Sequence, residues 1–190
     1  MKRNNKLRNN LIVTILSILY VIVILFSWSY YPSLKLWRSI DWLFFDSFLN
    51  FSLFRIIHLT IGLPIFIYGM VNVLEIVSIN RKAQLRRNVP KYLLKEGYYS
   101  EVRHPMYTMI ILIQFSLFFA LCSSLGILFE TIFTLVFMSF GLYEEKYQLL
   151  PILGEEYKKY SNEVTIRFFP FPLKICLLSL YLFSIVGIFF

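Results

Sequence analysis

Charge is scarce in this 190-residue chain: 16% of its residues are Asp, Glu, Lys or Arg, against about 25% in a typical soluble domain. A soluble fold of this length leaves about half its residues facing water, and so few charges cannot cover that surface. Cysteine is nearly absent. Cys122 and Cys176 each stand alone in an apolar stretch, which excludes a disulfide framework and a cysteine-based zinc site. There is no repeat of fixed period, and no low-complexity tract beyond the Asn and basic residues of the first ten positions. What fills the chain instead is apolar: 58% hydrophobic residues, with 20 Phe and 13 Tyr, and a mean hydropathy of +0.66. This is the composition of a membrane protein.

The spans follow from where charge is missing. None occurs between Arg8 and Lys35, and residues 11–30 supply the roughly 20 apolar residues that a helix needs to cross the hydrocarbon layer. This run ends in Trp28, Tyr30, Tyr31 and Pro32 rather than in a small-residue cleavage site, so it reads as a retained helix and not as a signal peptide. A second span, kinked at Pro64, is expected over 56–79. Residues 105–121 and 125–143 form an antiparallel hairpin turning at Cys122, Ser123 and Ser124, and 173–190 form a fifth apolar segment. The fold class is therefore all-α, one integral membrane domain over 1–190 with about five spans.

The formal net charge of +8 comes from 19 Lys and Arg against 11 Asp and Glu. With the amino terminus inside, sixteen of the 19 basic residues fall on the inner side, leaving Lys35, Arg38 and Arg55 outside. The basic balance is thus a topology signal, and nucleic acid is not a partner. In a bacterium this layout places the chain in the inner membrane.

Polar chemistry concentrates in two inner segments. The first reads Gly97-x-Tyr99-x-x-x-Arg103-His104-Pro105-x-Tyr107, where the chain re-enters the membrane. Pro105 suits the first turn of a helix, which puts Arg103 and His104 at a helix amino terminus, a natural anion site. An interfacial anchor of snorkelling Arg and belt tyrosines is the plainer alternative. The second segment carries Glu144-Glu145 at a helix carboxyl end, then Gly154-x-Glu156-Tyr157-x-x-Tyr160 and Arg167-x-x-Pro170. Two adjacent carboxylates there oppose the helix dipole and need cationic compensation. Glu155, Glu156, Lys158 and Lys159 read as a solvated helix face. Of the isolated polar residues, His58 is expected in helix packing, Glu130 near the outer interface, and Glu75 in a pair with Arg81 or Arg103.

Over residues 84–170 these elements resemble the isoprenylcysteine carboxyl methyltransferase-like membrane methyltransferases, which share a wider signature with phospholipid methyltransferases. Membrane sterol reductases that use NADPH carry an element similar to the first segment, but usually show Arg-Asp-Glu where this chain has Glu144-Glu145. The resemblance implies S-adenosylmethionine bound on the cytoplasmic face, in a pocket between the loop before the third helix and the segment after the fourth. It implies a lipid, lipidated or lipophilic methyl acceptor, carboxylate or amine, arriving from the bilayer. The cofactor contacts it implies are Gln84, Tyr99, His104, Pro105, Met106, Tyr107 and Glu145, with weaker matches over 91–94. Arg103, His104 and Glu144 are the implied catalytic residues.

The departures are equally specific. The family's basic residue one turn before the Glu pair, thought to hold a substrate carboxylate, is Gly141 here, and Met109 replaces a common Gly. The segment before Gly97 lacks the usual Leu-Gly, and the last helix is an addition. A methyltransferase is the leading expectation. An NADPH-dependent reductase and a non-catalytic membrane scaffold or transporter stand behind it, the transporter requiring oligomerisation because five helices leave little room for paired repeats.

Overall fold

A computed structural model describes residues 53–86, 89–90, 92–121 and 124–189, together with Ile18, Leu19 and Ile22; the side chains of 53–55, 84–91, 124–125 and 183–189 are not part of that description. The span expected over 11–30 and the turn residues Cys122 and Ser123 therefore lie outside the described residues.

Five α-helices make up the described chain. Helix α1 (Leu53–Ala83) is followed by a minimal antiparallel ladder of β1 (Gln84–Arg86) and β2 (Val89–Pro90), with Gln84 opposite Pro90. A 3-10 turn (Gly97–Ser100) precedes α2 (Pro105–Ala120), which runs antiparallel to α3 (Ser124–Glu144). A π-helical turn (Glu145–Leu149) joins α3 to α4 (Leu150–Glu163), and α5 (Phe171–Phe189) closes the chain. Two segments, Ile56–Ala83 and Gly126–Glu163, are long and apolar enough to cross a membrane, and Pro105–Ala120 and Phe171–Leu182 are shorter apolar helices.

Helix α1 differs from the expected kinked segment over 56–79. It continues for 31 residues through Pro64 to Ala83, about 46 Å at the α-helical rise and longer than the roughly 30 Å hydrocarbon layer. Arg81 and Lys82 fall in its last turn, where positive charge suits the helix dipole. Helices α1 and α2 pack at close range: a Cβ added at Gly62 would meet the Ala120 Cβ at 2.7 Å, and one at Gly69 would meet Ile113 Cγ1 at 2.7 Å. In a lipid environment such small-residue crossings bring backbones close enough for dispersion to hold helices together.

Helix α5 packs Leu177, Leu180 and Tyr181 against the buried Phe115, Phe118, Phe119 and Ile127 of the hairpin, and Thr131 and Tyr181 hydroxyls lie 3.0 Å apart. His58 is 2% exposed and stacks on Phe119 with ring centroids 4.5 Å apart, in keeping with a packing role. Glu130 is enclosed by protein. It is 1% exposed, with Oε1 accepting from Thr134 and Oε2 without a hydrogen-bond partner. Its position one helical turn from Gly126, which abuts the Phe118 ring, turns it into the hairpin rather than outward.

Candidate functional site

Pro105 does begin α2, with His104 capping its start. Two main-chain donors ahead of the helix are engaged. The Arg103 N–H donates to Ile166 O at 3.0 Å and the His104 N–H to Arg167 O at 2.9 Å, so the segment before Pro170 is laid along the start of α2. Thr108 adds a side-chain bond to Phe168 O at 2.5 Å. These bonds form a clamp joining two distant parts of the chain and take the Arg103 and His104 N–H groups out of the expected anion site.

That clamp brings Arg103, His104 and Arg167 around Glu145. Arg103 Nη1 lies 3.2 Å from Glu145 Oε1, His104 Nε2 lies 3.0 Å from the same oxygen, and Arg167 Nε lies 3.6 Å from Oε2. The Arg103 and Glu145 side chains are 8% and 9% exposed. A charge so buried is tolerated only when paired and hydrogen-bonded. Burial alone would push the Glu145 carboxyl up, but His104, Arg103 and Arg167 together outweigh burial and hold it below the ordinary carboxylate value. The cationic compensation expected for the Glu pair is therefore present, and it is directed at Glu145. Glu75 is not part of it: its carboxylate accepts from the Tyr98 hydroxyl at 3.2 Å, and Arg103 has Glu145 instead.

Glu144 has a different environment. Its side chain is about one-third exposed, and its Oε2 lies 3.8 Å from His104 Nδ1. Burial pushes its carboxyl up from the ordinary value, with His104 and the nearby Tyr107 hydroxyl opposing the shift. His104 therefore stands between two carboxylates. Since a carboxylate only accepts, the Nε2 facing Glu145 carries hydrogen, and in the neutral ring Nδ1 presents its lone pair toward Glu144.

These groups border a cavity of about 780 Å³, within the range of small-molecule sites. Tyr99, Arg103, His104, Met106 and Tyr107 form one side of it, and Glu144 with Phe140 and Tyr143 another. Glu144 is the one carboxylate on its wall among the described residues. Glu145 lies behind the wall, and Pro105 is buried in the first turn of α2 without lining the cavity. Gln84 is described only as backbone of β1. Leu93 and Leu94, within the weaker match over 91–94, line the cavity, and Lys91 lies outside the described residues.

Several wall residues had been given no site role, among them Tyr157 and Tyr160 of the second segment. Asn80, Gln148, Leu149, Leu153, Tyr157 and Tyr160 belong to the cavity. Tyr157 and Tyr160 repeat at helical spacing beside Val164 and are each 2% exposed, a pattern that marked them as inward-facing. The Tyr160 hydroxyl donates to Tyr99 O at 2.7 Å, and Tyr99 in turn donates to Asn80. These bonds tie α4, the loop and α1 into one wall. Burial pushes the Tyr99 hydroxyl well above the ordinary tyrosine value, so it remains a donor at neutral pH.

Gly141 has a structural reason. A Cβ there would lie 2.7 Å from Phe168 Cε1 and 3.4 Å from His104 Cδ2, while the Phe168 ring stacks on His104 at 5.3 Å. An aromatic ring therefore fills the place where a longer residue would stand. No family model, curated protein or solved structure matches the chain.

Proposed function

We propose that the chain is an integral membrane methyltransferase that uses S-adenosylmethionine and transfers its methyl group to a lipophilic acceptor. The observation that carries this reading is the convergence of Tyr99, Arg103, His104, Met106, Tyr107 and Glu144, from sequence positions up to 45 apart, on one cavity.

The lining fits the cofactor's chemistry. A sulfonium and an ammonium suit one carboxylate and several tyrosine faces, which is what Glu144, Tyr99, Tyr107, Tyr143 and Tyr157 offer. Arg81 and Arg103 are the cationic side chains on the wall among the described residues; Arg103 is paired with Glu145, which leaves Arg81 for the cofactor's carboxylate. Phe140 and Tyr143 line the cavity and are also 49% and 55% exposed on the outer face of α3, beside Val136 and Leu142. The cavity thereby meets an apolar belt, the route a lipophilic acceptor requires. Methyl transfer is an in-line displacement, so the protein's contribution is alignment and exclusion of water. The buried Tyr157, Tyr160 and His104 serve exclusion, and the Glu145 cluster fixes His104 and Arg103 in place.

Calorimetry on detergent-purified protein tests this. S-adenosylhomocysteine binding in the micromolar range is expected, weakened about tenfold or more by Tyr107→Ala, a loss of about 1.4 kcal/mol. Binding of NADPH alone would replace the reading with a reductase. Silence from both would leave a non-catalytic scaffold.

A further inference from the structure

The cavity's charges discriminate between classes of acceptor. A carboxylate acceptor is already a nucleophile at neutral pH and needs a cation to hold it, not a base. The unpaired cation that such an acceptor needs is not found where the chemistry converges. The carboxylate facing the cavity is Glu144, which repels an anion. Arg103 is engaged by Glu145 at 3.2 Å, and Phe168 occupies the space beside Gly141. Arg81, exposed at the end of α1, is the cation left for the cofactor's own carboxylate.

What the wall does present is the arrangement a proton-bearing nucleophile needs. Glu144 is partly exposed to the cavity, His104 Nδ1 is 3.8 Å behind it, and His104 is oriented through Nε2 by Glu145. Glu145 is itself fixed by two arginines. A carboxylate backed by an oriented imidazole can accept a proton and pass it on.

We infer that the methyl acceptor is a lipid-soluble protic nucleophile, an amine or a hydroxyl, and that Glu144 removes its proton with His104 as the positioning group. This inference rests on the methyltransferase reading. In the step, the acceptor's N–H or O–H proton goes to Glu144 and its lone pair forms the new bond to the methyl carbon. The carbon–sulfur bond breaks with its electron pair left on sulfur, converting the sulfonium donor to a neutral thioether. The proton is shared between Glu144 and His104 Nδ1 and leaves to solvent from the partly exposed Glu144 carboxyl.

The chemistry of the product provides the test. Purified protein is incubated with methyl-labelled S-adenosylmethionine and a total membrane lipid extract from the cells that make it, and the labelled lipid is treated with mild alkali. Methyl esters release volatile labelled methanol, whereas methyl amines and methyl ethers do not. Acid hydrolysis then separates a labelled water-soluble amine from an ether that stays in the organic phase. Alkali-stable label is expected in either form, together with a fall of about 100-fold or more in rate for Glu144→Gln.

Alkali-labile label would overturn the inference and make the acceptor a carboxylate. Absence of label from every lipid, with product binding intact, would overturn it as well, as would an undiminished rate in Glu144→Gln. Loss of product binding in the wild-type protein would instead remove the methyltransferase reading itself. Glu144→Asp, which keeps the base on a shorter stem, should recover part of the rate that Glu144→Gln loses, an outcome a purely structural role would not give.

Discussion

Replacing Gly141 by alanine tests the packing that closes one side of the site. On helix propensity alone the change stabilises α3 by about 0.5–1 kcal/mol. The added Cβ, however, would sit 2.7 Å and 2.8 Å from Phe168 Cε1 and Cζ. Phe168 is 5% exposed and held between His104 and the α2 clamp, so its ring has little room to yield. Overpacking of this kind costs about 1–3 kcal/mol, which outweighs the gain in helix propensity. A net loss of about 0.5–2 kcal/mol is expected. At about 2–4 °C per kcal/mol for a chain of this size, the thermal midpoint should fall by about 1–8 °C in detergent. The companion experiment makes the same substitution in a Phe168→Ala background. With the ring gone only the gain in propensity remains, and Gly141→Ala should then raise the midpoint. This reversal of sign isolates the contact from general effects on the helix. If Gly141→Ala stabilises both backgrounds equally, Phe168 does not occupy that space and the account of the missing basic residue fails.

Three further outcomes follow from particular residues. Glu145 is held below the ordinary carboxylate value, so its stabilisation is complete above about pH 4.3 and is lost as pH falls through its depressed native value. Glu144 is raised, so stability falls as pH rises from its ordinary value through its raised one. Midpoints measured against pH should lose the acid limb in Glu145→Gln and the opposing slope in Glu144→Gln; an acid limb unchanged in Glu145→Gln would contradict the ion cluster. Gly154, at φ 54° and ψ −125° inside α4, has nothing within 4 Å of an added Cβ. Gly154→Ala should nevertheless cost about 1–3 kcal/mol through backbone strain, measurable by thermal unfolding. Glu130→Met removes a carboxyl oxygen that lacks a partner in the hairpin; it should raise the midpoint, since an unsatisfied buried group costs about 1–3 kcal/mol, and leave S-adenosylhomocysteine binding unchanged.

Much of the architecture was legible because long apolar helices announce themselves by composition. The apolar runs before Arg81 and after Pro105, and the small polar break at 122–124, mark α1 and the α2–α3 hairpin. Pro105 marks the start of α2 because proline at that position forfeits no helical hydrogen bond. That the Glu pair needs cations was legible from charge, since adjacent carboxylates at a helix end require them; that Arg103, His104 and Arg167 supply them to Glu145 was not. What stayed hidden depends on registry between distant segments. Neither the pairing of 166–167 with 103–104 nor the insertion of Phe168 beside Gly141 has a local signature. The burial of Glu130 was hidden because the face it presents is set by helix rotation, fixed by Phe118 against Gly126, and apolar residues on every side leave no periodicity to show it. Glu75 was paired with the wrong partner because Tyr98, carried on a 3-10 turn, reaches it first.

The two neighbouring glutamates show how one dipeptide supplies two unlike groups. Successive residues of an α-helix project about 100° apart, so Glu144 and Glu145 cannot share an environment when the helix lies against a cavity. The π-helical turn begins at Glu145 and directs the chain from α3 into α4. Turns of this kind concentrate at functional sites because the extra residue re-aims side chains without ending the helix. Glu145 is turned inward and neutralised by three basic side chains. Glu144 remains on the wall with His104 behind it. The opposite shifts of the two carboxyls follow from that division: cations dominate at one and burial at the other. Environments that drive two adjacent acids apart are what let one act as an anchor while the other titrates within reach of a substrate.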